Sequence, residues 1–365
     1  MVVASEGSRS LSLPPFFAPQ RILVILLGAI GDVTRALPLL SRLRRAYPQA
    51  HIAWAVEPAA AALLDYHPAL DEILLYQRSR GSQTFLPFLR TVRNHHFDLV
   101  LDLQRHLKSG LVSLWSRAPV RLGFHRSNTK EGNWLFNTHT IEAVPDFSLK
   151  LAQYLKFADA LGLPDDGVRF DLRLRPQEEQ QVETLLAGTI RPFAAFFLGS
   201  RWPSRFWFPQ ATAEVARVLQ QEYGMGIVLV GGPSEVAFAQ QVSEAMGTAV
   251  TNLSGKTSLR DLIGVFSHAR LLWDQIPARC ILPRPRIFRS SHCGEQPVRF
   301  GRRRGVLRRL SFAVRRRVAR VMCGAVRSVV PVCGGLRLGK SLRSYRKSYA
   351  AIRTRKLDVG EGKNL

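Results

Sequence analysis

Cysteine is absent from residues 1–273 of this 365-residue chain, and all four cysteines lie further on, between positions 280 and 333. A long segment without thiols has no disulfide framework, which is typical of a protein kept in a reducing cytosol. Long hydrophobic runs are missing too, because the apolar stretch 22–30 is too short to span a bilayer and ends at Gly31 and Asp32. We therefore expect a cytoplasmic protein with neither a signal peptide nor a membrane-spanning helix.

Net charge is low over most of the chain, although the whole sequence carries +25. Residues 274–365 hold 24 of the 52 Lys and Arg residues and 4 of the 27 Asp and Glu residues, so this segment carries +20 and residues 1–273 carry +5. A partner with many negative charges, such as a nucleic acid or an anionic membrane, is therefore indicated for the last quarter of the chain alone.

Short apolar runs alternate with amphipathic stretches through the first half of the chain. The runs 21–27 and 97–103 are apolar at nearly every position, which is typical of parallel strands covered by helices on both faces. This alternation predicts an α/β fold with a doubly wound parallel sheet. The predicted strands are 21–27, 51–56, 72–76 and 97–103, and the predicted helices are 33–46, 59–66, 85–94 and 149–161.

A second series of the same kind follows a boundary near residues 165–190. Its predicted strands are 193–198 and 226–230, and its predicted helices are 210–223, 236–245 and 259–266. Two successive Rossmann-like units predict two domains that face each other across a cleft, where open parallel sheets bind ligands. The expected organisation is a loose leader over 1–20, a first domain over 21–170, a partial second domain over 171–273 and a basic tail over 274–365.

The first strand runs directly into the segment 28–33, which reads GAIGDV. Its glycines allow a tight turn that brings a ligand close to the backbone amides at a helix N-terminus, but the segment lacks the full dinucleotide fingerprint and the Walker lysine. Asp32 is expected at the carboxyl end of the strand, where a carboxylate suits a general base that takes a proton from a hydroxyl. The spacing alone favours the alternative that Asp32 is a helix N-cap.

Several further motifs occur in the order found in one known family. They are Gly31-Asp32 with Leu37-Pro38, WAVE at 54–57, DLVLDLQ at 98–104 with Lys108-Ser109, LGS at 198–200, WPSRFW at 202–207 and LSGKTSL at 253–259. Together they resemble the bacterial ADP-heptose:lipopolysaccharide heptosyltransferase family, which is glycosyltransferase family 9, over residues 20–273. The ordered set is much more specific than any one of its members.

The resemblance implies the GT-B fold of two Rossmann-like domains and an inverting glycosyltransferase that requires no metal or other cofactor. It implies that the acceptor, a lipopolysaccharide core or another glycolipid, binds mainly to the first domain. Carried over by position, Asp32 is the catalytic base, and Gly31, Gln104 and Lys108 bind the acceptor. Lys108 suits a phosphorylated or otherwise anionic acceptor sugar.

The donor is implied to be ADP-heptose, or a similar nucleoside-diphosphate sugar, bound to the second domain. The resemblance assigns its diphosphate to Ser200 and Arg205, its ribose to Glu235, and the surroundings of its base to Lys256 and Thr257. A departing diphosphate needs cationic and amide partners as the glycosidic bond breaks. Arginine stands at position 205 where the family usually has lysine, which keeps the charge and changes its geometry.

Each assignment has a structural alternative. Arg205 is equally consistent with a solvated surface charge, and Lys108 with the end of a helix. Asp102 closes a strand and suits a structural role as well as a catalytic one. Glu235 alternatively only favours the start of its helix.

The family pattern breaks off at residue 273. The family continues with a segment like Asp-Ser-Gly-Pro-Met-His-Ile-Ala, which grips the donor, whereas this chain continues from Trp273 with DQIPARC. Read one base back, the codons that these residues permit give glycine at the junction of Trp273 and Asp274, followed by Pro-Asp-Ser-Gly-Pro-Met-His-Ile-Ala. Residues 317–333 permit, in the same frame, the cysteine-bearing C-terminal segment of many family members. This agreement predicts a shift of the coding frame near residues 272–274.

A chain with such a shift lacks the donor clamp, which is the segment like Asp-Ser-Gly-Pro-Met-His-Ile-Ala, and the last strands of the second sheet. We then expect weak or absent transfer, an exposed apolar edge on the second domain and a disordered basic tail. Two other functions stay open, namely a non-catalytic remnant that binds acceptor only, and a nucleic-acid or polyanion-binding protein that uses the arginine clusters between residues 302 and 317. Nonspecific polyanion binding by the tail is expected in any case, and a glycolipid acceptor is compatible with peripheral contact at the cytoplasmic face of the inner membrane.

Overall fold

The computed structural model describes residues 17–78, 82–145, 148–199, 208–274 and 282–283. All of these belong to one compact unit that covers residues 1–303, and a second unit covers residues 304–365. Most of the predicted leader lies outside the described residues, as do Ser200, Arg205 and nearly all of the basic tail. The predicted domain boundary at 170–171 stays a prediction.

The first half of the chain forms a parallel α/β sheet, as predicted. Its strands are β1 (Arg21–Ile25), β2 (His51–Val56), β3 (Glu72–Leu75), β4 (Leu99–Asp102), β5 (Val120–Gly123) and β6 (His139–Thr140). Its helices are α1 (Ile30–Ala46), α2 (Pro58–Leu64), α3 (Ser82–Asn94), α4 (Leu107–Ser116) and α5 (Lys150–Ala160). The strands pair in the order β3-β2-β1-β4-β5-β6, so β1 and β4 lie side by side at the centre.

Burial on both faces of this sheet explains its apolar strands. Ile22 and Val24 of β1 belong to a core that also holds residues of α1 and α5, whereas Leu23 and Ile25 point to a second core with residues of α3. Successive side chains of a strand point to opposite faces, so a strand between two helical layers must be apolar throughout. Each aliphatic side chain buried in this way stabilises the fold by roughly 1.5–3 kcal/mol.

The second half forms another α/β sheet. Its strands are β7 (Phe193–Phe197), β8 (Gly226–Val230), β9 (Thr251–Asn252), β10 (Leu271–Asp274) and β11 (Leu282–Pro283). Its helices are α6 (Pro176–Leu185), α7 (Pro209–Tyr223), α8 (Val236–Met246) and α9 (Leu259–His268). The order is β11-β10-β7-β8-β9, and only β11 runs antiparallel among the described strands. Leu271 and Leu272 of β10 pair with β11, so β11 and β9 form the two edges of the described sheet.

One buried arginine joins the two halves. Arg260 of α9 donates from Nη1 to the carbonyl oxygen of Asp65, just after α2, at 2.8 Å, and from Nη2 to the carbonyl oxygen of Arg173 at 2.7 Å. Its Nε lies 3.0 Å from Oε1 of Glu178 on α6. Arg175 adds a bidentate pair to the Asp65 carboxylate at 2.7 and 2.8 Å. A guanidinium that satisfies this many acceptors fixes the geometry of the junction.

The structure confirms each predicted strand and helix, with ends that differ by at most three residues. Helices α4 and α6 and strands β5, β6, β9, β10 and β11 are additions to the predicted elements. The five additional strands have four residues or fewer, too few for a clear periodic pattern. Among the described residues, no helix is both long enough and apolar enough to cross a membrane.

Candidate functional site

Asp32 lies in the first turn of α1, just beyond the carboxyl end of β1. Ala29 occupies the N-cap position of this helix, so the N-cap interpretation of Asp32 is wrong. The Asp32 side chain is 33% exposed, and its Oδ1 lies 3.2 Å from Nη1 of Arg35, one turn along the helix. A carboxylate in this place can reach a ligand bound over the edge of the sheet.

Gly31 keeps this edge open. A Cβ at Gly31 would lie 3.2 Å from Nη1 of Arg35, closer than ordinary van der Waals contact, and would crowd the guanidinium that pairs with Asp32. The Arg35 side chain is 51% exposed and can shift by the few tenths of an ångström that a Cβ would need, so the place of Gly31 beside the acceptor stays a prediction.

Helix α5 brings basic and phenolic groups near the carboxylate of Asp32. Burial lowers the pKa of Lys150, the nearby charge of Arg105 lowers it further, and the negative charge of Asp32 opposes both effects. Burial also raises the pKa of Tyr154, and the charge of Asp32 adds to that increase. Nη2 of Arg105 donates to Oε1 of Gln153 on α5 at 2.6 Å. The carboxylate therefore shares its surroundings with two cations that the sequence analysis does not single out.

The loop between β4 and α4 is organised by a fully buried carboxylate. Asp102 ends β4 and accepts hydrogen bonds from Nδ2 of Asn133 at 2.7 Å, from the backbone N–H of Gln104 at 3.1 Å and from Oγ of Ser109 at 3.2 Å. Burial raises the pKa of Asp102 to about 7, despite these donors, which favour the charged form. Two roles were considered for Asp102, a structural and a catalytic one. The geometry supports the structural role, because the buried carboxylate is bonded to groups of the protein itself.

Gln104 and Lys108 extend from this loop toward β1 and β3. Oε1 of Gln104 accepts from the backbone N–H of Leu27 at 2.9 Å, which ties the loop to the segment that leads to Asp32. Lys108 is the second residue of α4, so the alternative that it ends a helix is wrong. Its Nζ lies 3.2 Å from the hydroxyl of Tyr76 and 5.8 Å from the ring centre of Phe85. The exposed ammonium is held in place by an aromatic pair and still faces solvent.

A cavity of about 360 Å³ opens beside these residues. It contains groups of both charges, and its lining is formed by Leu27, Glu57, Arg78, Gln104, His106, Lys108, Ser109 and Glu131. Glu131 accepts from the backbone N–H of Leu107 at 3.0 Å at the start of α4, and that bond holds the pKa of Glu131 below its ordinary value. A small polar molecule with hydroxyl and charged groups fits such a lining.

On the second sheet, Glu235 is a buried carboxylate in the turn that leads to α8. It accepts from the backbone N–H of Gly232 and from Oγ of Ser234, both at 2.7 Å. Glu235 occupies the N-cap position of α8 but makes no side-chain capping bond to that helix. The bond from Gly232 caps the start of the 3₁₀ turn Pro233–Glu235, which runs into α8, so the geometry agrees with the alternative that Glu235 favours the start of its helix.

Lys256 and Thr257 lie on a loop that packs against this turn. Gly255 has a φ of +72°, and a Cβ there would come within 2.8 Å of Cγ2 of Val236, so the loop requires glycine. The backbone N–H of Gly255 donates to the carbonyl of Gly231 at 2.9 Å. Nζ of Lys256 donates to a backbone carbonyl and is exposed, whereas Oγ1 of Thr257 is buried without a hydrogen-bond partner among the described residues.

The structure brings the predicted residues together in two groups. Gly31, Asp32, Gln104 and Lys108 lie at the carboxyl edge of the first sheet, and Glu235, Lys256 and Thr257 lie at the carboxyl edge of the second. Ser200 and Arg205 lie outside the described residues. Glu57, which directly follows β2, lines the cavity although the sequence did not identify it as a site residue. The rule that identified Asp32, a carboxylate at the end of a parallel strand, also applies to Glu57.

Two successive Rossmann-like sheets with polar groups at their carboxyl edges are the architecture of the GT-B class. Residues 85–272 match the family described as Glycosyltransferase family 9 (heptosyltransferase). This chain belongs to that family, which confirms the resemblance noted in the sequence. The match ends at residue 272, next to the predicted change of coding frame.

Individual relatives agree with this assignment. The chain is 24% identical over 257 residues to the lipopolysaccharide core heptosyltransferase OpsX of Haemophilus influenzae, which covers 70% of this chain and 73% of that protein. A family 9 glycosyltransferase structure from Veillonella parvula is similar with a TM-score of 0.61 and 22% identity, over 70% of this chain and 74% of the other. The Escherichia coli heptosyltransferase WaaC with ADP-2-deoxy-2-fluoro heptose is similar with a TM-score of 0.58 and 22% identity, over 70% and 82%. These structures support the GT-B fold.

Proposed function

We propose that this chain transfers a heptose-like sugar from ADP-heptose, or a closely similar nucleoside-diphosphate sugar, to a lipopolysaccharide core acceptor. The observation that carries the proposal is the partly exposed Asp32 carboxylate at the carboxyl edge of the first sheet, in the electrostatic neighbourhood of Lys150 and Arg105. The relatives add the substrate class, since one is named a lipopolysaccharide core heptosyltransferase and another was solved with an ADP-heptose analogue. We place this reaction in the cytoplasm, at the inner face of the membrane that holds the glycolipid.

Asp32 acts in this proposal as the general base. The acceptor hydroxyl gives its proton to the carboxylate while its oxygen forms a bond to the anomeric carbon of the donor. The bond between that carbon and the diphosphate oxygen breaks, and its electron pair leaves with the nucleoside diphosphate. Attack from the face opposite the leaving group inverts the anomeric configuration. A positioned base accelerates such a step by about 10²–10⁴-fold, and holding both substrates in one cleft supplies much of the rest.

The acceptor side of the proposal rests on charge. Lys150 and Arg105 lie in the electrostatic surroundings of Asp32, and Lys108 lines the cavity at the same edge of the sheet. These cations suit an acceptor sugar that carries a carboxylate or phosphate group. Gln104 ties the acceptor loop to the end of β1 through Leu27. A shift of that loop would therefore move the binding groups and the base relative to each other, and positioning errors of this kind reduce the rate strongly.

The donor side is proposed from the family positions. Ser200 and Arg205 would hold the diphosphate, and Glu235, Lys256 and Thr257 would lie along the nucleoside. The buried and unpaired hydroxyl of Thr257 and the exposed ammonium of Lys256 are groups that a bound nucleoside diphosphate can satisfy. Because the family match ends at residue 272, we expect weak or absent turnover from this chain.

The deciding experiment combines transfer and binding. Release of nucleoside diphosphate from ADP-heptose is measured with a deacylated, water-soluble core acceptor, for the wild type, Asp32→Asn and the surface control Asp159→Asn. Any turnover of the wild type should fall by about 10²–10⁴-fold in Asp32→Asn. Acceptor affinity of Asp32→Asn should stay within a few-fold of the wild type, and Asp159→Asn should match the wild type in both measurements. Turnover that survives Asp32→Asn would contradict the assignment of the base.

The alternatives give different results in the same experiment. A remnant without transfer activity should still bind the acceptor, and Lys108→Ala should weaken that binding while Lys108→Arg retains most of it. A protein that acts only through the +20 charge of residues 274–365 should bind polyanions with a steep salt dependence and show no change on substitution of Lys108.

A further inference from the structure

Helix α4 is amphipathic in the reverse of the usual sense. Its buried face consists mainly of small polar residues, namely Ser109, Gly110, Ser113 and Ser116 with Val112. Its solvent face carries Leu107, Leu111, Leu114 and Trp115, and three of these are 41–42% exposed while Leu111 is partly exposed. Their spacing of four, three and one residues forms one continuous apolar stripe.

The buried serines fix this orientation of the helix. Oγ of Ser113 donates to Oδ1 of Asn137 at 2.7 Å, and Oγ of Ser109 bonds to the carboxylate of Asp102. A Cβ at Gly110 would lie 2.6 Å from Cδ2 of Phe136, so only glycine allows the close approach of the neighbouring turn. Rotating the helix to bury its leucines would break these bonds. The apolar stripe is thus a built surface of the folded protein.

The surroundings of the stripe are strongly basic. Between residues 104 and 141 the chain has six Lys and Arg residues and one carboxylate, Glu131, so this segment carries +5. The single carboxylate is engaged by the N-terminus of α4. Lys108 and Arg117, at the two ends of the helix, are exposed, and so is Lys130. Exposed leucine and tryptophan with flanking cations are the combination that binds the interface of an anionic bilayer.

We infer that the stripe on α4, formed by Leu107, Leu111, Leu114 and Trp115, is a docking surface for an anionic lipid bilayer. The turn 133–136, which packs on α4, exposes Leu135 at 60% and extends the apolar area. Since His106 and Lys108 at the start of the same helix line the cavity, docking places that cavity at the membrane surface. The inference rests on the proposed function in one respect: a glycolipid acceptor would then enter the cavity with its lipid part still in the bilayer.

Tryptophan fluorescence tests the surface directly. The full-length chain is mixed with phosphatidylglycerol–phosphatidylethanolamine vesicles whose acyl chains are brominated, because bromine quenches only indoles that enter the bilayer. Residues 274–365 contain no tryptophan, so tail-bound vesicles alone give no such signal. About 1 M salt screens the charge of the tail, with a Debye length near 3 Å. We expect quenching of the wild type that Trp115→Phe removes.

Substitution of the stripe provides the second measurement. Leu114→Glu should weaken vesicle partitioning by about tenfold or more, whereas Ile190→Glu, at an exposed position in the second half, should not. Quenching that is unchanged in Trp115→Phe, or a stripe variant that alters self-association and leaves vesicle binding unchanged, overturns the inference. Affinity for the deacylated acceptor is expected to survive Leu114→Glu. Failure of both proteins to bind that acceptor would count against the proposed function and leave the quenching result to decide the docking surface.

Discussion

The buried carboxylate of Asp102 should make the stability of this protein depend on pH in an unusual direction. Burial raises its pKa in the folded protein to about 7, whereas an aspartate in an unfolded chain titrates at about 3.9. Between these values the folded state keeps a proton that the unfolded state has lost. The contribution of Asp102 is therefore most favourable below the unfolded pKa and declines as the pH rises toward the folded pKa.

The size of the effect follows from the interval that an experiment covers. Between about pH 5 and about pH 8, the two states differ in protonation over roughly two pH units, which corresponds to about 3 kcal/mol at 1.36 kcal/mol per unit. Asp102→Asn is nearly isosteric and cannot titrate. The free energy of unfolding of Asp102→Asn, measured relative to the wild type, should therefore increase by about 3 kcal/mol over this interval.

Urea unfolding of the full-length protein at the two pH values provides the assay. The wild type, Asp102→Asn and the exposed control Asp159→Asn are compared at each pH, so that effects common to all three cancel. The control should follow the wild type. A difference between wild type and Asp102→Asn that stays constant within about 1 kcal/mol across the interval would refute the reasoning, because a group with a raised folded pKa must release this free energy.

Two further predictions concern stability. Arg260→Ala should lower the free energy of unfolding by about 3 kcal/mol in a urea titration, since Glu178 and two backbone carbonyls lose a buried partner. Arg260→Lys should recover only part of this loss, because the single ammonium of lysine cannot reproduce the forked geometry of the guanidinium. His67 is buried with Nε2 donating to the Phe170 carbonyl at 2.9 Å, and burial lowers its pKa, so the contribution of His67 to stability should fall as the pH drops below about 6.5. The stability of His67→Gln relative to the wild type should therefore rise in thermal melts recorded from neutral to acidic pH, and a difference that stays constant would count against the role of His67.

The sheets could be predicted because their strands are buried on both faces. β1 and β8 are apolar at nearly every position, and a run of this kind over five residues bounded by turn signals is typical of strands buried on both faces. Helix α4 could not be predicted in the same way. Its leucines face solvent and its serines face the core, so the usual rule for helices gives the wrong face. Helix α6 has a single buried residue, Val182, and offers no apolar stripe.

Some residues of the candidate site could be predicted from the sequence, and others could not. Asp32 was predictable, because a carboxylate just after a buried parallel strand is placed by the topology of the sheet. Glu131 and Lys150 come from loops and helix starts far along the chain, and only the packing of α4 and α5 brings them to the same region. No spacing in the sequence encodes that packing. The N-cap interpretation of Asp32 was the wrong choice locally, because the turn at Ala29 starts the helix earlier than the apolar pattern does.

The end of the family match makes the predicted frame change testable. β10 pairs in parallel with β7 through Asp274, so the second sheet is regular up to this residue, and the match to family 9 ends at residue 272. The nucleotide sequence, read one base back from codon 273, should encode Gly-Pro-Asp-Ser-Gly-Pro-Met-His-Ile-Ala. A chain translated in that frame should bind nucleoside diphosphate at least tenfold more tightly than the present chain, because it regains the donor clamp, while its acceptor affinity stays the same. If the codons spell other residues, the predicted change of frame is wrong; if the two chains bind the nucleotide equally, the role of the donor clamp is wrong.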